Sequence, residues 1–109
     1  MNRQNWTEVP EEVITPLFTR KAIHTPKMTI LQLHLKKGAV VPLHHHVHEQ
    51  VTLLTSGLLR VELDGETVVL HPGDVLLVPS NSPHLVEALE DSIETDVFTP
   101  TREDLRAKT

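Results

Sequence analysis

The chain contains no cysteine among its 109 residues. That absence excludes a disulfide framework, a thiolate nucleophile and every cysteine-ligated zinc or iron–sulfur centre. An excess of positive charge is also missing. Lys and Arg number 10 against 15 Asp and Glu, for a formal net charge of -5, which argues against a general nucleic-acid binder. No apolar run approaches the roughly 20 residues of a membrane span. Residues 1–13 lack the apolar stretch of a secretory signal, which sets a reduced, cytoplasmic location as the expectation. Aromatic residues are only 3% of the chain, which argues mildly against a stacking platform for carbohydrate.

What remains is an ordinary globular composition, 39% hydrophobic and 23% charged. The length suits one domain over residues 1–109, with its core expected over residues 28–98. The patterning is β. Leu31, Leu33 and Leu35 alternate with Gln32, His34 and Lys36, and Val61 and Leu63 alternate with Arg60, Glu62 and Asp64. Asp64-Gly65 is a hairpin signal. Turn signals at Pro72-Gly73-Asp74 and over residues 79–83 bound further strands. About nine or ten short strands punctuated this way predict a sandwich or small barrel. One short helix is expected after Pro100, over residues 101–106.

Histidine is the exception to this plainness. The chain has 8, of which four lie within residues 44–48. On a strand His44 and His46 share a face, and two neighbouring imidazoles suit one metal ion. His45 takes the opposite face. Gln50 shares parity with His44 but can reach the ion only if the chain bends between Val47 and Glu49. His84, just after Pro83, is the best candidate for a ligand from a distant strand. Histidines such as His24, His34 and His71 stand alone and are expected to have no special role.

The spacing Gly38, five residues, His44, one residue, His46, three residues, Gln50, six residues, Gly57 resembles the first cupin motif. Glutamine stands in the usual glutamate slot. Gly73, five residues, Pro79, then His84 resembles the second motif, with Asn81 for its usual second glycine and Ala88 for its final asparagine. The resemblance implies an all-β jelly-roll barrel with one divalent ion held by His44, His46, Gln50 and His84. With glutamine the four ligands are neutral, so the ion would keep its charge and attract an anionic substrate. Glu49 is the alternative to Gln50 if the register shifts by one; His48 has the right parity but falls in the bend. Nickel, zinc, manganese or iron would all serve.

Residues 96–104 resemble the tail of the KdgF-type pectin-degradation cupins, as does the stretch from His46 to Gln50. That resemblance implies conversion of a 4,5-unsaturated uronate monomer to its linear keto form. Its active-site residues beyond the metal map onto Asp96, Phe98 and Arg102. Asp96 and Phe98 share one face of the last strand. Asp96 would move protons, Arg102 would fork onto a carboxylate and Phe98 would wall the sugar ring. A metal-dependent dioxygenase and a non-catalytic metal- or sugar-binding barrel are the alternatives. The implied partner is a small anionic sugar acid. Exposed strand edges lead to the expectation of a homodimer.

Overall fold

The computed structural model describes residues 1–106. Ten strands follow one another: β1 Glu12–Thr15, β2 Phe18–His24, β3 Thr29–Leu35, β4 Val40–His44, β5 Glu49–Ser56, β6 Leu59–Leu63, β7 Glu66–Leu70, β8 Val75–Val78, β9 His84–Ala88 and β10 Ser92–Thr99. They form two antiparallel sheets. One has six strands in the order β1-β2-β3-β10-β5-β8; the other has four, β4-β9-β6-β7. The all-β expectation holds. Closure into a single barrel does not appear as a continuous ladder, because hydrogen bonding divides the strands between the two sheets.

The alternation seen in the sequence is what packs the sheets. Leu31, Leu33 and Leu35 of β3 are buried while Gln32 and His34 between them are half-exposed. With Phe18, Leu54 and Phe98 they meet Leu59, Val61, Val86 and Ala88 of the smaller sheet in one core. Apolar area removed from water there stabilises the fold by about 25 cal/mol per Å².

Two turns show why their residues are needed. Asp64 and Gly65 both have positive φ, 51° and 81°, as a tight hairpin between β6 and β7 requires. At Gly57 (φ 98°) any Cβ would collide with Ser92 and the carbonyl of Asp91, so the turn after β5 admits only glycine.

The C-terminal helix predicted from the sequence is a correction. Only a 3-10 turn forms, Glu103–Leu105. Such a segment is too short to propagate an α-helix, and Arg102 at its start has no side-chain cap. Among the described residues no helix is long and apolar enough to cross a membrane.

Candidate metal centre

Two cross-strand pairs at one end of the sheets assemble the site. In the smaller sheet His44, the last residue of β4, lies opposite His84, the first of β9. In the larger sheet Gln50 of β5 lies opposite Phe98 of β10. His46 joins them from the connection between β4 and β5. The strand parity expected for His44 and His46 does not hold, because β4 ends at His44; a loop brings the His46 ring to 5.6 Å from the His44 ring instead. The chain bends at Val47 and His48, the bend that Gln50 needed to turn inward.

A second loop clamps the first. Asn81 donates its backbone N–H to the His46 carbonyl at 2.8 Å, and the Ser80 hydroxyl donates to the Val47 carbonyl at 2.6 Å. Asn81 has φ 62°. Asparagine tolerates this left-handed conformation better than other residues with a Cβ, which is how it fills a position where the cupin motif has glycine.

His44, His46 and His84 bring one nitrogen each within 4.8 Å of one another, a group that could hold a metal ion. Their rings are oriented alike. Nδ1 of His44 donates to the Pro42 carbonyl at 2.7 Å, Nδ1 of His46 to that of His48 at 2.9 Å, and Nδ1 of His84 to that of Ser82 at 2.8 Å. With Nδ1 carrying the proton, Nε2 of each ring is a bare lone pair. Nε2 of His84 is buried with no hydrogen-bond partner among the described residues. Leaving such an atom unpaired costs about 1–3 kcal/mol, a cost that a bound cation removes.

Gln50 completes the pattern. Its amide nitrogen donates to the Thr52 hydroxyl at 2.9 Å, which turns Oε1 toward His46 Nε2 at 3.1 Å. Two acceptors then face each other. Two ligands at right angles on one ion, each about 2.0–2.1 Å from it, would stand about 3 Å apart. The donor set thus fits a divalent cation. Glu49 is exposed, and His45 is exposed and outside the group. His48 stacks edgewise near His46 and Phe98, at 5.6 and 6.5 Å between ring centres, without joining the three.

Burial keeps two of the site histidines neutral. It lowers the pKa of His46, and it lowers that of His84 to about 4. Both rings are therefore free to bind metal at neutral pH without displacing a proton.

A cavity of about 200 Å³ runs inward from the histidines. Asp96, Phe98 and Arg102 line it alongside His44, Gln50 and His84, so the tail residues singled out in the sequence do converge on the histidine site. Asp96 is buried and accepts the Thr52 hydroxyl proton at 2.7 Å. A hydrogen-bonded chain therefore links Gln50 through Thr52 to Asp96. Burial raises the Asp96 pKa to about 6, against the opposing pull of the Thr52 and Gln50 hydrogen bonds and of Arg102. A carboxyl balanced there can both take and give a proton near neutrality.

Phe98 is both core and cavity wall: 3% exposed, it meets the His46 ring in a T-shaped contact at 5.5 Å between centres. Arg102 lies over the Phe98 face, Cζ 4.8 Å from the ring centre. Its Nε and Nη2 reach both Asp104 oxygens at 3.0 and 2.8 Å. The rest of the guanidinium fork, the Nη1 side, is what it can offer a ligand.

Two participants were missed from the sequence. Thr52 gave no signal beyond its even spacing from Gln50. Glu94 is 2% exposed and lines the cavity, and its parity with Asp96 and Phe98 could have found it. His24, expected to have no role, bonds Thr29 at 2.8 Å, close to the tail that carries Arg102.

Residues 31–99 match the cupin domain family model. The chain is 32% identical over 100 residues to the pectin degradation protein KdgF of Dickeya dadantii (strain 3937), covering 89% of this chain and 91% of that protein. Among solved structures, KdgF from Halomonas sp. superposes with a TM-score of 0.87 at 35% identity, covering 92% of this chain and 94% of the other. An RmlC-like cupin from Shewanella frigidimarina superposes with a TM-score of 0.90 at 28% identity, over 94% of each chain.

Proposed function

This chain belongs to the cupin family, and from its likeness to the KdgF proteins we propose that it opens the ring of a 4,5-unsaturated uronate monomer, releasing the linear keto acid. One observation carries the reading. His44 and His84 of the histidine group line a single cavity with the buried Asp96 and the half-buried Arg102, so metal-binding and proton-moving groups can meet on one small acid.

His44, His46, His84 and Gln50 would hold one divalent ion. Bound there, it would supply Lewis-acid stabilisation of negative charge on a substrate oxygen. The free edge of Arg102 orients the substrate carboxylate, and Phe98 packs against the sugar ring. Asp96, as carboxylate, takes the proton of the anomeric hydroxyl; the bond between the anomeric carbon and the ring oxygen breaks, leaving an aldehyde and an enolate. Delivery of that same proton from the Asp96 carboxyl to the former alkene carbon converts the enolate to the ketone. Atoms balance without a second reactant. Thr52 keeps Asp96 aimed throughout.

The test is absorbance of the alkene-conjugated carboxylate after adding metal-loaded protein to freshly released unsaturated galacturonate, or to its counterpart from alginate. Loss faster than the spontaneous rate supports the reading. An unchanged rate on all of these substrates removes it.

A further inference from the structure

The inner face of β10 presents Ser92, Glu94, Asp96 and Phe98 in turn, all buried. Glu94 stands one inward step beyond Asp96, about 6.6 Å further along the strand from the metal end. It lines the same cavity. Its cross-strand neighbours are Leu33 on one side and Leu54 on the other, which offer its carboxyl no side-chain polar atom. Arg20, opposite Leu33 in the next strand, also lines the cavity, but its guanidinium is turned to Glu12, with contacts of 3.1 and 3.3 Å. Oε2 of Glu94 has no hydrogen-bond partner among the described residues. A side chain there for packing alone would be apolar or paired; a buried carboxyl with neither property calls for a ligand.

We propose that Glu94 is a substrate-positioning residue, its carboxyl hydrogen-bonding a hydroxyl at the end of the sugar acid remote from the histidines and Arg102. The inference rests on the sugar-acid reading above and deepens it. A uronate carries its charge at one end and hydroxyls elsewhere. Much of the cavity wall beyond the metal is apolar, Phe18, Leu33 and Val86 among it. A hydroxyl reaching that wall pairs with Glu94 or goes unpaired. The same carboxyl selects against acids that lack the hydroxyl, because they leave it buried and unmatched. Burial, with the charge of Asp96 beside it, holds the Glu94 pKa well above the usual range. Held toward its protonated form, the carboxyl can donate as well as accept.

The test compares wild type, Glu94→Gln and Glu94→Met, each full-length and metal-loaded. The measurements are kcat and KM on unsaturated galacturonate and on analogues lacking one ring hydroxyl, with the thermal midpoint alongside. Methionine should raise KM about tenfold or more with kcat nearly unchanged, as loss of a buried hydrogen bond made in both ground and transition states requires. Its midpoint should be equal or higher, and glutamine should restore KM to within about threefold. One deoxy analogue, poorer than the parent on wild type, should equal the parent on Glu94→Met. Wild-type KM and wild-type deoxy discrimination in Glu94→Met would overturn the proposal, as would a lowered midpoint shared by both variants. Should methionine prevent folding, Glu94→Leu is read in its place by the same criteria. If wild type turns over none of these substrates, the ring-opening reading fails and equilibrium binding of saturated galacturonate decides Glu94. Weaker binding to Glu94→Met alone then supports it, and equal binding to all three proteins overturns it.

Discussion

The hydroxyl of Thr29 accepts the backbone N–H of Arg102 at 2.8 Å, joining residues 73 apart in the chain. The same hydroxyl meets Thr101 Oγ1 at 3.0 Å and His24 Nδ1 at 2.8 Å, and Thr29 is 0% exposed. Among the described residues beyond β10 the chain forms one 3-10 turn, and this contact anchors the segment that carries Arg102. Through it the first residue of β3 fixes where the Arg102 guanidinium stands over Phe98.

Thr29→Val keeps the shape and removes the hydroxyl. It should raise KM for the uronate several-fold, about what a misplaced positioning group costs, while kcat falls less. Thr29→Ser should restore both. Steady-state kinetics of the three proteins, with circular dichroism as a check on folding, measures this.

Metal content separates the histidines. His84→Ala, or His44→Ala together with His46→Ala, should leave the purified protein without bound divalent ion by elemental analysis. His45→Ala should retain the ion, because His45 is exposed and outside the converging group.

Asp96→Asn removes the titrating carboxyl and should lower turnover about 10²–10⁴-fold with the metal retained. If Asp96 acts as carboxylate, kcat/KM for wild type should fall as pH drops below about 6, the value to which burial raises it. The Thr52 hydrogen bond opposes that rise. Thr52→Val should therefore move the acidic limb to higher pH, which a pH–rate profile resolves.

Glu94 should make stability depend on pH in a defined direction. Its folded pKa is raised above the ordinary value of 4.5 by burial and by Asp96, with Arg20 and Arg102 the cations lining the same cavity. Above pH 4.5 the unfolded chain releases this proton while the folded protein keeps it. Stability is fully present below the unfolded value and is lost as pH rises, by at most about 1.4 kcal/mol per pH unit. Glu94→Gln removes this dependence, so its stability relative to wild type should rise as pH increases above about 5. Urea denaturation at several pH values checks it; a constant difference would contradict the raised pKa.

Much of this was legible in the chain itself. Leu31, Leu33 and Leu35 face inward because side chains alternate along a strand, and Asp64-Gly65 turns because its residues tolerate positive φ. Such rules act over two to four residues and need no neighbour. The outward Glu49 beside the inward Gln50 follows from the same local geometry.

Tertiary structure decided the rest. That His46 leaves the strand and still reaches His84 depends on the loop clamped by Ser80 and Asn81. The orientation of Gln50 depends on Thr52, and that of Thr52 on Asp96 from a strand 44 residues away. Glu94 is a polar residue in sequence and an unpaired buried carboxyl only in the fold, because Leu33 and Leu54 come from strands that the chain order does not place beside it. Spacing along one strand sets which face a side chain takes. Partner, burial and proton affinity arise where strands distant in sequence pack together, and no local pattern encodes them.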